Sequence, residues 1–402
     1  MNRKYLPEIV IFVKNPVQVE EAIKSGADHL VLEDPKVSAR SFQEDQSSKD
    51  FTQLKRLANL AGSLKKDIML SFNLDILAKE KDFPIIKRLL KNLKKIGICF
   101  IRIQDPGLSL LIREVYPEAK LYLATETGNT NTESIKYFSS IFQRQIFSNE
   151  IPYPDLLDIT RKIESEFEIQ VQGPVLMQQS SRKYLTICQK VNSNKVPLIS
   201  KIRDLDHPQR ELSLYENMHG SFCYLDYDCC LFHFLDQLAK LKLTGWLIDP
   251  RGESNDYFKA SIKLYKKARD LMYNKKIKAD LYKKDSEIKS LFLALQKSAQ
   301  RPFSEGFFQA NNTDQNRKAK LTCQEPLGIV LDVIKNEIVT LQLYKPIKSN
   351  DLLLAINPEG KKFGFKAQNM TDMENNQLTI SGKREFIKIK WYKGFQPRTL
   401  IY

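Results

Sequence analysis

Short runs of apolar and β-branched residues alternate with longer amphipathic stretches through the first 250 residues. This alternation is typical of repeated strand–helix units, which build a parallel sheet. The intervening stretch "NPVQVEEAIKSGA" illustrates a predicted helix, with Pro near its start and Gly near its end. Eight runs read as strands: "EIVIFV" (8–13), "HLVLE" (29–33), "DIMLSFN" (67–73), "CFIRIQ" (99–104), "KLYLAT" (120–125), "RQIFS" (144–148), "EIQVQG" (168–173) and "GWLID" (245–249). The pattern predicts an α/β fold, a TIM-type (β/α)8 barrel over residues 1–300.

The spacing of these strands is irregular at 34–66 and at about 174–244. The second stretch is too long for a plain connection, so we expect a functional insertion before the last strand. Residues 255–299 have a helical pattern with basic exposed positions.

The pattern changes at about residue 320 to short alternating strands separated by turn sequences such as "NPEGK" and "SGK". Residues 320–402 are therefore predicted to form a small all-β domain, a closed barrel that leaves no strand edge exposed. Residues 301–319 are predicted to be the linker between the two domains.

Composition adds a charge bias to this picture. Lys and Arg outnumber Asp and Glu by 63 to 48, which gives a net charge of +15. Such a field favours polyanions such as RNA, or acidic membrane surfaces, although solvated lysine-rich helix faces account for it equally well.

The cysteines and the apolar segments indicate a cytoplasmic protein. The 6 cysteines are scattered without a CxxC pair, as in proteins of a reducing compartment. No segment approaches the roughly 20 apolar residues that span a bilayer, and the N-terminal apolar run is shorter than the roughly 7–15 of a signal peptide core. We expect a soluble protein without membrane association.

Polar side chains follow most of the predicted strands. In a parallel barrel the residues just past the strand ends surround one shared pocket, where carboxylates act as acids, bases or metal ligands and arginine binds anions. Each residue also has a structural alternative: Asp105 in a tight turn, Glu150 capping a helix, or Arg251 neutralising Asp249. The set is Asn73, Asp75, Gln104, Asp105, Glu126, Asn129, Asn149, Glu150, Gln172, Asp249 and Arg251.

Motifs of familiar enzyme classes are absent from the sequence. There is no HExxH, no GxGxxG and no P-loop lysine, and none of the 4 histidines stands beside a Ser or Cys nucleophile. The adjacent Cys229 and Cys230 suit packing as small hydrophobic residues. The residues alone therefore predict a barrel with a polar pocket.

A family resemblance extends this prediction. The segments "IRIQDPGLSLLIREVYPEAKLYLATETGNTN", "RQIFSNEIPYPDL", "EIQVQGPVLM", "LIDPRGESNDYFKASIKLYKKARD" and "RPFSEGF", in this order and spacing, resemble the collagenase-like peptidase U-32 family. The resemblance runs from "EAIKSGADHLVL" to the C-terminal β unit. It implies the barrel and the β domain described above.

The resemblance also implies function. Some members of that family are described as proteases, and others are associated with hydroxylation of tRNA, ribosomal RNA or a quinone precursor. The hydroxylation-linked members hold an iron–sulfur cluster through four cysteines.

This chain departs from that cluster pattern. Leu176 and Lys183 occupy two of the cysteine positions, Cys188 is poorly spaced for the third, and Cys230 is the only plausible remnant of a ligand. A cluster needs a full set of thiolates or substitutes. We therefore expect no iron–sulfur cluster, no other metal site and no cofactor. Asn149 replaces a family Arg, and Asp249-Pro250-Arg251 replaces Glu-Gly-Arg.

The leading hypothesis is a divergent, cluster-free family member that acts in RNA modification such as hydroxylation. Its pocket would bind a small anionic or amide-rich ligand. The alternatives are a collagenase-like peptidase and a non-catalytic scaffold that binds RNA or protein, so catalytic activity stays open. The predicted catalytic residues are Asp105, Glu126 and Glu150, and the predicted substrate-binding residues are Asn73, Gln104, Asn129 and Arg251.

Overall fold

The computed structural model describes residues 6–41, 51–125, 128–189, 198–203, 211–274, 282, 284–309, 326–358, 361–382 and 385–402. The chain divides into two units, Met1–Ile202 with Leu212–Ala319 and Arg203–Glu211 with Lys320–Tyr402. The predicted catalytic residue Glu126, as well as Cys323, lies outside the described residues.

The first unit contains a closed barrel of parallel strands. The strands of the sheet that contains this barrel and its extension are β1 (Glu8–Val13), β2 (His29–Leu32), β3 (Met69–Leu74), β4 (Phe100–Ile103), β5 (Lys120–Leu123), β6 (Arg144–Ile146), β7 (Glu166–Ser180), β8 (Leu198–Arg203), β9 (Glu211–Asn217), β10 (Gly220–Cys230), β11 (Gly245–Ile248) and β12 (Phe303–Ser304). Strands β1 to β7 pair in order, and β11 pairs with both β1 and β7. This closure confirms the predicted TIM-type barrel.

Helices connect the barrel strands. They are α1 (Pro16–Ser25), α2 (Thr52–Leu64), α3 (Phe83–Ile96), α4 (Leu108–Val115), α5 (Thr132–Ser139), α6 (Tyr153–Lys162), α7 (Tyr184–Gln189), α8 (Leu235–Leu238), α9 (Asn255–Asn274) and α10 (Ser286–Ser298). Helix α1 shows why they form where the pattern predicts. The Asn15 side chain accepts the Gln18 N–H at 2.9 Å, and Gly26 ends the helix in the left-handed region at φ 97°.

The barrel interior combines an apolar group with a buried ionic network. Val10, Phe12, Val31 and Leu247 form one small hydrophobic cluster. Other positions that face the barrel interior, on the same strands and on neighbouring ones, carry charged side chains. Side chains two positions apart on a strand face the same side of the sheet, so charged and apolar residues share this interior. The ionic network consists of Glu8, His29, Arg102, Arg144, Glu166 and Glu168.

The predicted insertion is an antiparallel extension of the barrel sheet. Strand β7 continues past Gly173 and pairs antiparallel with β10, which pairs with β9, and β8 follows. Gly173 lies at φ 129°, and a Cβ there would meet the Asp249 carbonyl oxygen at 2.3 Å. Because only glycine fits this close approach, Gly173 lets β7 leave the barrel.

Residues beyond α10 still contact the barrel unit. Strand β12 pairs in parallel with Asp228 and Cys229 of β10, and the ring of Phe308 lies 5.5 Å from that of Tyr153. Residues 310–325, which include most of the predicted linker, lie outside the described residues.

The second unit is a separate antiparallel sheet curled into a half-barrel, which confirms the predicted all-β unit. Its strands are β13 (Gly328–Ile334), β14 (Ile338–Leu343), β15 (Leu352–Ile356), β16 (Lys362–Lys366), β17 (Phe386–Lys390) and β18 (Leu400–Ile401). Over the described part of this unit, the edge strands β16 and β17 do not pair, so the sheet is open where closure was expected. Gln377 and Ile380 form isolated bridges outside the named strands, and β18 is the sixth strand of the sheet.

No helix in the described ranges combines the length and the apolar content needed to cross a membrane.

Candidate functional site

A buried polar cluster lies where β2, β3 and β11 end. We call it the mouth cluster, and it consists of Glu33, Arg40, Asn73, Asp75, Asp249 and Arg251. Three barrel strands and the segment after β2 contribute to it, so barrel closure brings together residues that are far apart in the chain.

Arg251 is at the centre of the mouth cluster. Its Nε and Nη2 donate to the two carboxylate oxygens of Asp249 at 2.8 and 2.5 Å, and its Nη1 donates to Glu33 at 2.8 Å. The guanidinium carbon lies 3.9 Å from the centre of the Phe12 ring. Because two carboxylates already hold this cation, an anionic ligand would have to share it with them, and anion binding by Arg251 stays a prediction.

Burial and neighbouring charges shift the pKa values of Asp75 and Glu33 in opposite directions. Asp75 accepts the Ala39 N–H at 2.6 Å and the Arg40 Nε–H at 3.0 Å. Burial opposes its ionisation, but the guanidiniums of Arg40 and Arg251 outweigh that effect and lower the pKa of Asp75. For Glu33, burial together with the charges of Asp75 and Asp249 outweighs Arg251 and raises the pKa. Of these two carboxyls, Glu33 therefore binds a proton more readily than Asp75 does.

The amides predicted at the mouth make different contacts. Asn73 is buried, and its Nδ2 donates to Glu33 at 3.0 Å. Gln104 donates from Nε2 to Gln179 at 3.3 Å, whereas its buried Oε1 accepts no hydrogen bond from any described residue. The Oγ1 of Thr125, at the end of the next strand, is also buried without a partner in the described part of the chain. Buried polar atoms are normally hydrogen-bonded, so two neighbouring strand ends that each carry a buried oxygen without a described partner are an exception.

The other predicted site residues serve loops after the strands. Asp105 accepts the Gly107 N–H at 2.9 Å, which is a turn contact. Asn129 has φ 52°, donates to Gln145 at 2.9 Å and accepts from Ser134 at 2.8 Å. Glu150 is exposed. The catalytic roles of Asp105, Glu126 and Glu150 and the substrate-binding role of Asn129 stay predictions.

A second buried network joins Gln172, one of the predicted strand-end residues, to four residues that the sequence interpretation missed: Asp228, Glu253, Tyr257 and Arg301. Arg301 lies 2.9 Å from Asp228 and 3.0 Å from Glu253, so two carboxylates share one guanidinium. The Tyr257 hydroxyl donates to Asp228 at 3.4 Å and accepts from Gln172 Nε2 at 2.6 Å. Asp228 is fully buried, and burial raises its pKa to about 7, with Glu253 and Asp249 adding to the effect and Arg301 opposing it.

This raised pKa predicts a pH-dependent stability that Asp228→Asn removes. An unfolded Asp has a pKa of about 3.9, so the folded protein binds the Asp228 proton more tightly than the unfolded chain. The Asp228 contribution to the free energy of unfolding should therefore fall by about 1 kcal/mol per pH unit as pH rises from about 4 to about 7. Urea unfolding of both proteins across this range measures the difference in slope.

Asp67→Asn is the matched control, because it makes the same substitution at an exposed aspartate. Its pH slope should equal that of the wild type. Equal pH slopes for Asp228→Asn and the wild type would contradict the raised pKa of Asp228.

The residues considered as cluster ligands lie in different surroundings. Cys230 is buried opposite Gln172, its Sγ lies 3.8 Å from the Tyr265 hydroxyl, and burial raises the pKa of the thiol to about 12. Leu176 is buried, and Cys188 is exposed on α7. Within the described residues, no group of three or more His, Cys, Asp or Glu could hold a metal ion.

Glu33 and Arg40 are further mouth residues that the sequence interpretation missed. Glu33 was assigned to a strand end without a role, although it follows Val31 by two positions and so shares its face of the strand. Extending each strand's alternation by one step past its end would have found it. Arg40 has no such signal, because it lies in an irregular segment after β2.

Comparison with known proteins places this barrel in a family. A model of peptidase family U32 matches residues 14–318. The tRNA hydroxylation protein P2 of Bacillus subtilis is 23% identical over 292 residues, covering 69% of this chain and 91% of that protein. The tRNA hydroxylation protein P of Escherichia coli is 21% identical over 431 residues, covering 94% of this chain and 92% of that protein.

One solved structure resembles a short part of the chain. The C-terminal domain of a protein described as a U32 peptidase, from Geobacillus thermoleovorans, is 21% identical with a TM-score of 0.18, covering 19% of this chain and 86% of that one. The family assignment rests on the sequence model, which covers more than half of the chain. This chain belongs to peptidase family U32.

Proposed function

We propose that this protein acts in the cytoplasm in RNA modification, as hydroxylation of tRNA or ribosomal RNA, without an intact iron–sulfur site. The observation that carries the proposal is the extent of the similarity to two proteins named for tRNA hydroxylation, which covers 91% and 92% of their lengths. The net charge of +15 supports a polyanionic substrate.

The mouth of the barrel supports a ligand-binding role within this function. The unpartnered oxygens of Gln104 and Thr125 would accept hydrogen bonds from a small ligand. Glu33, whose pKa is raised by burial, would exchange a proton or form a hydrogen bond at the same mouth. Arg251 would contribute positive charge toward an anionic group of that ligand, and Asp105, Glu126 and Glu150 would serve acid–base or hydrogen-bonding roles.

The absence of a cluster is proposed from the donor set. Leu176 and Lys183 stand at two of the expected cysteine positions, and neither supplies a thiolate to a cluster. No step of the proposed function is assigned to a cluster.

Two measurements test the proposal together. Deletion of the gene should abolish a hydroxylated nucleoside in tRNA or ribosomal RNA, detected by mass spectrometry, and the wild-type gene should restore it. Protein purified without air should contain neither iron nor acid-labile sulfide. Unchanged nucleosides would contradict the hydroxylation role, and iron with sulfide in cluster proportions would contradict the cluster-free site.

A non-catalytic RNA-binding scaffold is a second candidate, favoured by the internal pairing of Arg251 with Glu33 and Asp249. In that case, the purified protein should bind tRNA while deletion leaves every hydroxylated nucleoside unchanged. Gln104→Leu in the complementing gene separates the two candidates further. This variant should fail to restore the hydroxylated nucleoside only if the mouth binds a ligand through the Gln104 amide.

A further inference from the structure

An open cavity of about 400 Å³ lies outside the mouth, between the end of β10, the segment after it, α10 and β12. This volume falls within the roughly 300–1,000 Å³ of small-molecule sites. The residues that line it and carry the argument are His233, Phe234, Lys289, Phe292, Phe303 and Glu305.

Aromatic rings form the walls of this cavity. The ring centre of Phe292 lies 3.9 Å from that of His233 and 6.3 Å from that of Phe303. These three side chains are half-buried, unlike the fully buried aromatic residues of the core. They therefore leave ring surface beside the open space, and such surface is suited to stacking on another planar group.

Helix α10 presents different faces to the core and to the cavity. Ile288, Leu291 and Leu295 are buried, whereas the exposed Lys289 and the half-buried Phe292 are three positions apart and lie together on the cavity side. A cation beside a stacking surface is the combination that binds a base and its phosphate. Glu305, at the same cavity, offers carboxylate oxygens as acceptors for the amino group of a base.

We propose that this cavity is a second binding site, which takes one nucleobase of the RNA, stacked on Phe292, with its phosphate on Lys289. The proposal rests on the proposed function for its choice of RNA. It places one contact of the substrate outside the barrel mouth, so that the RNA would be held by a site separate from the one that binds the small ligand.

Charge reversal at Lys289 tests the phosphate contact. Lys289→Glu should weaken tRNA binding about ten-fold at low salt and reduce the slope of log affinity against log salt by about 1. Lys297→Glu is the matched control, because Lys297 is exposed on the same helix, does not line the cavity and changes the net charge equally. Equal losses in the two variants would overturn the site, because they would reflect the general field of the protein.

Phe292→Leu tests the stacking contact, since it keeps an apolar side chain but removes the ring. We expect about ten-fold weaker tRNA binding, measured at a temperature at which the thermal unfolding curve shows the variant to be folded. The exposed neighbour Leu293 provides the control Leu293→Ala, which should bind as the wild type does. Wild-type affinity in Phe292→Leu would overturn the stacking contact.

Titration with each of the four ribonucleoside 5′-monophosphates separates this proposal from the proposed function. Binding that is lost in both Lys289→Glu and Phe292→Leu supports the cavity even if deletion changes no hydroxylated nucleoside. Wild-type nucleotide and tRNA binding in both variants overturns the cavity even if hydroxylation depends on the protein.

Discussion

Replacing Arg251 with alanine is expected to lower the free energy of unfolding by about 3–5 kcal/mol and to abolish restoration of the hydroxylated nucleoside. The substitution leaves the buried carboxyls of Glu33 and Asp249 without the guanidinium that contacts both. It also removes the cation that packs on Phe12 at the mouth. Urea unfolding measures the first effect, and nucleoside mass spectrometry of the complemented deletion strain measures the second.

Three further variants define what Arg251 contributes. Arg251→Lys keeps the charge but cannot hold Asp249 through two hydrogen bonds while reaching Glu33. The free energy of unfolding of this variant should therefore lie between those of the wild type and of Arg251→Ala. Asp249→Asn combined with Arg251→Ala should recover part of the stability, because it removes the buried carboxylate that Arg251 holds through two hydrogen bonds. Arg113→Ala, at an exposed arginine with a single carbonyl contact at 3.3 Å, should change stability by less than about 0.5 kcal/mol. If Arg251→Ala lowered the free energy of unfolding by as little, the ion pairs of Arg251 would not stabilise the protein as we expect.

Replacing Glu168 with alanine is expected to lower the free energy of unfolding by about 3–5 kcal/mol. Glu168 is fully buried in the barrel and lies 2.7 Å from Arg102 and 3.5 Å from Arg144. Burial opposes its ionisation, but the two guanidiniums outweigh that effect and lower the pKa of Glu168. Without this carboxylate, the buried Arg102 loses its ion-pair partner. Urea unfolding at pH 7 measures the loss.

Glu166→Ala is the matched control for this prediction. Glu166 has the same side chain, lies two positions earlier on the same strand and pairs with the same Arg144 at 3.0 Å, but its side chain is 36% exposed. Solvent screens such a pair, so the loss should be at most about 1 kcal/mol. Equal decreases in the free energy of unfolding for Glu166→Ala and Glu168→Ala would show that burial does not decide how much each ion pair stabilises the protein.

Much of the fold could be predicted from periodicity alone. The predicted strand "EIVIFV" coincides with β1, and the other barrel strands lie within the predicted runs or begin close to them. Strand β7 is the exception, because it continues to Ser180. Its continuation depends on pairing with β10, a partner distant in the sequence, and on the close approach of Gly173 to Asp249. Local periodicity does not contain these contacts.

The candidate site could be predicted only in part. Asn73, Asp249 and Arg251 were identified because polar residues follow strands, and the structure brings them into one cluster. The pairing of Arg251 with Glu33 joins residues 218 positions apart, so no spacing rule indicates it. The aromatic cavity likewise combines β10, α10 and β12, whose contact follows from packing.

The sequence by itself determined the class of fold and the family, because strand and helix periodicities and the order of motifs are local properties of the chain. It also determined that polar residues follow the barrel strands. Only the tertiary structure decided which of these residues pair, which carboxyls are buried, and where Phe292 and Lys289 meet a cavity. The physical reason is that burial and pairing depend on barrel closure, which brings charges from distant strands into one low-dielectric interior.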